Sequence, residues 1–373
     1  MSRVPYGYEI VQLIEQLAPK QLAMKDDPIG LQIGTLNKPV KKVMVALDVL
    51  EEVVAEAANE QVDLIIAHHP PLYRPLKRLL TDDGHGRMIA ACLNHDIAVY
   101  AAHTNLDVAA GGVNDWLAEA LGLHHPTVLV PTYIEPLKKL VVYVPVTHAE
   151  AVRKAIGDAG AGHIGRYSHC TFNSRGIGTF LPEEGAQPFI GAQGRLEEVE
   201  EVRIETIVPA ALEREVVQAM LAVHPYEEVA YDLYPLDNEG RRFGLGRIGR
   251  LPQPMTLRAL AERVKTVFSV PAVRVVGRLD DVVQTVAVLG GDGNKFVAAA
   301  ASAGADVYVT GDVYYHTAHD AQALGLRLID PGHHIENIMK EGVARYLTAE
   351  LAKRQWDVEV FASRVHTDPF QFV

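Results

Sequence analysis

The stretch Val62-Asp-Leu-Ile-Ile-Ala-His-His-Pro-Pro-Leu-Tyr73 constrains the fold more than any other part of the chain. The branched apolar run 64–67 has the length of a buried strand. Pro70 and Pro71 cannot continue a hydrogen-bonded ladder, so His68 and His69 sit at the strand's mouth. Open α/β sheets place their binding sites at such strand ends. Neighbouring residues of a regular strand point to opposite faces, so a single ion would struggle to take both imidazoles, whereas two ions at a strand end can.

The flanking sequence repeats the unit. Residues 8–18 carry apolar positions at helical spacing, 43–49 reads as a buried strand ending at Asp48, and 51–60 is an alanine-rich helix. After the histidine strand come a helix over 87–94, a strand over 97–102 and the segment His103-Thr-Asn-Leu-Asp107, then a helix around 114–123. Strand, helix, strand at this spacing is a parallel βαβ pattern. It puts Asp107 at the same sheet edge as His68 and His69.

From about residue 130 the pattern changes. Strand-like segments at 139–145, 200–208 and 228–234, helices at 148–158 and 210–223, and a glycine-interrupted hairpin at 167–181 follow the order β-α-β-β-α-β, which is ferredoxin-like. The acidic residues Glu183, Glu184, Glu197, Glu198, Glu200 and Glu201 read as a solvated face or hairpin. The stretch His224-Pro-Tyr-Glu-Glu228 reads as a strand entry or a small binding patch.

Beyond residue 249 the α/β rhythm returns, with the turn Gly290-Gly-Asp-Gly293 opening a helix after a strand, as a phosphate-cradling turn does. A further buried strand, Asp306-Val-Tyr-Val-Thr-Gly-Asp312, precedes a helix carrying His316 and His319. A short strand over 327–329 then runs into Asp330-Pro-Gly-His-His-Ile-Glu-Asn337. A long helix to about residue 354 and a strand at 358–362 follow.

The 373 residues make two domains the default, and 48% hydrophobic with 22% charged residues describes a folded globular protein. A formal charge of −12 without a basic stripe argues against nucleic acid as the main partner. No signal-peptide core and no transmembrane-length apolar stretch is visible, so a cytoplasmic protein with no membrane partner is expected. Only Cys92 and Cys170 are present, against 16 histidines. A bound transition metal must then use imidazole and carboxylate, a donor set suited to zinc, iron, manganese or nickel.

The polar strand ends supply His68, His69 and Asp107 from the first segment, and His333 or His334 with Glu336 from the last. Positions three apart on an opening helical turn share a face, so His333 and Glu336 can converge. Three imidazoles and two carboxylates exceed the needs of one tetrahedral ion. A pair of ions sharing Asp107 or Glu336, with open positions for hydrolytic chemistry, is the natural solution.

The combination Ile66-Ala-His-His-Pro70, His103-Thr-Asn-Leu-Asp107, Thr310-Gly-Asp-Val-Tyr-Tyr-His316 and Pro331-Gly-His-His-Ile-Glu336 resembles the Nif-three-like family, the GTP cyclohydrolase 1 type 2 homologs. The likeness covers nearly the whole chain. Asp26-Asp-Pro-Ile-Gly-Leu-Gln-Ile-Gly34 is similar to the family's N-terminal Asp-Asn-x-Gly-Leu-Gln-x-Gly segment, departing from it at Pro28. The resemblance implies a dinuclear centre carried by His68, His69, Asp107, His333 and Glu336, with His333, which follows the glycine, preferred over His334. It also implies a PII-like inserted domain, matched here by Gly160-Ala-Gly-His-Ile-Gly-Arg-Tyr167 and His224-Pro-Tyr-Glu-Glu228, and a ring-shaped homohexamer.

The expected architecture is therefore a discontinuous metal-binding α/β domain, 1–130 with 241–373, interrupted by a ferredoxin-like α+β domain at 131–240. The expected function is hydrolysis of a small purine-nucleotide-like substrate, with GTP ring opening at the imidazole carbon as the family label implies. His316 and Asp48 are the candidates for moving protons or for holding a ligand histidine. Phosphodiesterase or nucleotide phosphatase activity is the alternative chemistry, and a metal-holding regulatory binding protein the alternative class.

Overall fold

Runs of apolar residues with no polar alternation form strands covered on both faces, and the first half of the chain builds its sheet from such runs. The computed structural model describes residues 3–373. In chain order the strands are β1 (Gly30–Ile33), β2 (Lys42–Ala46), β3 (Leu64–Ala67), β4 (Ala98–Ala101), β5 (His124–Pro145), β6 (Phe172–Phe180), β7 (Glu197–Pro209), β8 (Tyr231–Thr256), β9 (Arg274–Val276), β10 (Val282–Asp292), β11 (Val307–Gly311), β12 (Arg327–Asp330) and β13 (Glu359–Ala362). The chain divides into two compact units. One joins the segment ending at Tyr133 to Phe243–Val373, and the other is Ile134–Arg242.

The first unit holds a sheet in the order β1-β4-β3-β2-β13. Strands β4, β3, β2 and β13 are parallel, and β1 runs antiparallel at the edge. Alternate residues divide between two cores. Met44, Ala46, Ile65 and Ala67 pack with Val53, Val54, Met88 and Ile89 of the helices Glu51–Asn59 and Gly84–Asn94. Val43, Val45, Leu64 and Ile66 face Ile10, Leu13 and Ile14 of the N-terminal helix Gly7–Leu17, with Leu347 and Leu351 of the long helix Ile338–Arg354 in the same core.

The same unit contains a second set of strands, absent from the sequence reading as a separate sheet. β10, β11 and β12 are parallel, with β9 antiparallel to β12 and residues 247–256 of β8 antiparallel to β10. Two ties join the distant segments of the unit. β13 pairs in register with β2. Arg247, 3% exposed, donates to the Asp115 carboxylate at 2.9 Å and to the carbonyls of Ala109, Gly244 and Gly246.

The inserted unit takes its elements in the order β5, helix Ala149–Asp158, β6, β7, helix Glu213–Val223, β8, with the strands arranged β6-β7-β5-β8. This is the ferredoxin-like βαββαβ pattern. Its core is Leu140, Val142, Val144, Val152, Ile156, Val202, Ile204 and Met220.

Two readings of this region need correction. The hairpin expected within 167–181 does not form. β6 pairs instead with β7, beyond residues 181–196, because Gly176 and Gly178 lie in the extended strand and neither has a positive φ. The strands expected at 139–145 and 228–234 are short pieces of β5 and β8, which carry the chain out of and back into the first unit. Among the described residues no helix is long and apolar enough to cross a membrane.

Both cysteines are free. Cys92 is fully buried and burial pushes its thiol up to about 11, so Ellman's reagent should titrate Cys170 alone in the native protein and both thiols after denaturation. Replacing Arg247 by Met removes the cation from Asp115 and a donor from three carbonyls, leaving Asp115 only the Gly111 backbone N–H. Unfolding in urea should then show a lower midpoint at unchanged slope, a loss of about 3 kcal/mol.

Candidate metal centre

The site is built from strand ends. His68 and His69 still donate their backbone N–H groups to Ala46 and Leu47 at 3.1 and 2.9 Å, and the prolines end the ladder beyond them. The departure from strand geometry there brings the two rings to 5.1 Å instead of sending them to opposite faces. His103 follows β4 and precedes the short helix Thr104–Val108, which carries the buried Asp107. From the other sheet, Gly332 at φ 85° turns the chain after β12 into the 3-10 turn His333–Asn337. This turn presents His333 and Glu336.

Close approach at this point requires glycine. A Cβ on Gly291, itself at φ 66°, would lie 2.7 Å from Glu336 Oε1 and 3.2 Å from His333 Nε2. Gly290 and Gly291, expected by sequence in a phosphate-cradling turn, instead lie in the last residues of β10 and pack directly against the cluster.

Each of four imidazoles is tethered through Nδ1. His68 meets the Ala102 carbonyl at 2.9 Å, and His69, His103 and His333 meet carboxylate oxygens of Asp48, Asp27 and Asp312, each at 2.7 Å. A carbonyl or carboxylate oxygen only accepts, so Nδ1 must carry the proton and a neutral ring keeps its lone pair on Nε2. The Nε2 atoms of His69, His333 and His68 lie 3.1, 3.2 and 3.8 Å from Glu336 Oε2, and His68 Nε2 is 3.5 Å from Asp107 Oδ1.

The charges respond to this packing. Burial raises the Glu336 carboxyl, but the hydrogen bonds from His333 and His69 and the nearness of His68 outweigh that and hold it well below its ordinary value. Asp107 is raised to about 6 by burial, only partly offset by His68. Burial disfavours charge on His69, yet the Asp48 and Glu336 carboxylates flanking it push it up to about 10, and Glu336 with Asp312 pushes His333 to about 9. Asp27 and Asp48 are held low, burial being outweighed by the hydrogen bonds from His103 and His69.

Three overlapping groups could hold a metal ion: His68 with His69 and His103, His69 with His333 and Glu336, and His68 with Asp107 and Glu336. Within each, the donor atoms lie within 4.8 Å of one another. Two buried atoms aimed into the cluster, His68 Nε2 and Asp107 Oδ1, have no hydrogen-bond partner among the described residues. An N/O donor set with orphaned lone pairs fits divalent transition ions.

The five residues expected as ligands are thus brought together. His103 joins them unexpectedly, although it ends its strand just as His68 does, and that position was the available signal. Asp48 faces His69 Nδ1 and also accepts from the Thr367 hydroxyl, so it stands behind an imidazole and not at the centre. His316 belongs to none of the three donor groups. It is exposed on the helix Tyr315–Ala323, its ring 5.4 Å from that of Tyr315. His334 turns away to stack edge-on against His366 at 4.6 Å.

The chain matches the family model Duf34/NIF3 (NGG1p interacting factor 3) over residues 6–369. It is 58% identical to the GTP cyclohydrolase 1 type 2 homolog of Bacillus subtilis over 373 residues, covering all of both chains. It is 40% identical to that of Mycobacterium tuberculosis over 329 residues, covering 87% of this chain and 86% of the other. Among solved structures it is similar to a Bacillus cereus protein related to NIF3, with TM-score 0.96 and 60% identity over the whole of both chains. A Staphylococcus aureus protein follows with TM-score 0.78 and 30% identity over 99% of each.

Loss of an Nδ1 tether frees the ring to rotate and lowers its basicity, so Asp48→Ala and Asp312→Ala should each weaken metal retention by about 10- to 100-fold. His316→Ala should leave it unchanged. Competition with a chromophoric chelator measures all three.

Proposed function

This chain belongs to the Duf34/NIF3 family, and we propose that its histidine–carboxylate cluster holds two divalent metal ions and hydrolyses a small purine-nucleotide-like substrate. One observation carries the reading. Four imidazoles are pinned through Nδ1, and with Asp107 and Glu336 they form three overlapping groups in each of which the donor atoms lie within 4.8 Å of one another. Six donor side chains exceed the needs of one tetrahedral ion, and Glu336, common to two of the three groups, is the shared carboxylate.

Two divalent ions supply Lewis acidity toward a substrate oxygen or ring nitrogen, and a nucleophile made from water. The chain's residues define the rest. His68, fully buried, forms the floor, whereas the His333 side chain is 40% exposed, so substrate enters from the His333 side. Tyr73, 63% exposed, stands beside His103 with the two rings edge-on at 6.4 Å and offers a face for a heteroaromatic ring. Asp27, Asp48 and Asp312 fix the imidazoles and accept no substrate proton while those bonds persist. GTP is the substrate suggested by the name the relatives carry.

The deciding experiment pairs elemental analysis with turnover of GTP and of a phosphodiester, on wild type and His69→Ala side by side. About two ions per chain and GTP ring opening, both lost in a variant that keeps its circular dichroism spectrum, are the expected result. Phosphodiester cleavage without GTP turnover would reassign the substrate class. Metal-free wild type prepared without chelator would overturn the reading.

A further inference from the structure

The inserted unit has a cavity of about 610 Å³ lined only by its own residues, a volume in the range of small organic ligand sites. Side chains alternate along a strand. Val202 and Ile204 of β7 belong to the core beneath the helices, so Glu201 and Arg203 point to the opposite face of the sheet, where the cavity lies. Gly176 of β6 sits directly across from Glu201, and a Cβ on Gly178 would fall 2.2 Å from Glu201 Oε2. Gly178 thus leaves room for this carboxylate against β6.

Glu201 is only 8% exposed. Its Oε1 accepts the Tyr226 hydroxyl at 2.9 Å, while Oε2 has no hydrogen-bond partner among the described residues. Burial, with the Glu201 carboxylate, pushes the Tyr226 hydroxyl above its ordinary range, so that group stays a neutral donor. Arg203, on the same face, is taken by Glu205 at 2.8 Å. A buried carboxylate is ordinarily paired with a cation, and this one has none among the described residues. Glu183, Glu227 and Glu228 also line the cavity, against Arg175 and Arg203, which leaves it net negative. The walls are aromatic, with the Tyr226 ring 5.9 Å from Phe180 and 6.5 Å from Phe189.

The geometry points to a binding site for a small organic ammonium ion with an aryl or alkyl body, its charged head on Glu201 and its body against Phe180, Phe189 and Tyr226. An aromatic wall beside a carboxylate is how proteins recognise such cations, since ring faces attract positive charge where water is excluded. The site is separate from the metal centre and does not depend on the hydrolase reading.

Calorimetric titration of the full-length protein with phenethylamine, 2-phenylethanol and phenylacetate compares one body with three head groups. The amine should bind at least roughly tenfold more tightly than the other two. Glu201→Gln, which keeps an acceptor for Tyr226, should reduce the amine to the level of the alcohol. Equal binding of all three, no binding of the amine, or an amine affinity unchanged in a folded Glu201→Gln variant would overturn the proposal. So would tighter phenylacetate binding that disappears in Arg175→Ala. The comparison of probes on wild type decides the matter even if the variant does not fold.

Discussion

The tether on each imidazole Nδ1 is the interaction on which the rest of the site depends. Glu336 and Asp107 are buried carboxylates, and a buried charge is tolerated only where opposite charge or hydrogen-bond donors meet it. His69 and His333, whose Nε2 atoms lie 3.1 and 3.2 Å from Glu336, meet that carboxylate as donors when protonated, and a bound cation would meet both carboxylates; the rings are aimed for either only because Ala102, Asp48, Asp27 and Asp312 fix their orientation. Without the tethers the same histidines could rotate, and the lone pairs would not converge. The three tethering aspartates lie at loops and strand ends, where one carboxylate can serve both backbone and ring. Asp27, which also accepts from the Thr104 backbone N–H, shows this directly.

Convergence across two sheets needs a scaffold that resists opening. The in-register pairing of β13 with β2 and the buried Arg247 network tie segments separated by the insertion. The chain enters the insertion along β5 and leaves it along β8. Glycine then permits the last approach, since Gly290 and Gly291 lie against Glu336 with no room for a side chain.

The short parallel strands were legible because burial on both faces leaves an unbroken apolar run, as in 64–67 and 98–101. β5 and β8 were not, since most of their length is exposed and interrupted by proline and glycine, the usual signs of a loop. The glycines of β6 were mistaken for turn residues because pattern alone does not distinguish a glycine that bends the chain from one that makes room for a neighbour's carboxylate. His103 does not stand out in the sequence for a similar reason: which histidine reaches a centre depends on the path of the backbone after the strand.

By itself the sequence determined the local facts: where strands stop, which polar residues sit at their ends, that cysteine is unavailable as a ligand, and which family motifs recur. These follow from hydrophobic pattern and backbone chemistry over a few residues. Only the tertiary structure decided that the strands divide between two sheets, that His333 and not His334 faces Glu336, and that three aspartates stand behind the imidazoles. Those outcomes depend on contacts between different elements, from 21 positions apart for His69 and Asp48 to 267 for His69 and Glu336, whose geometry is set by packing and leaves no periodic trace along the chain.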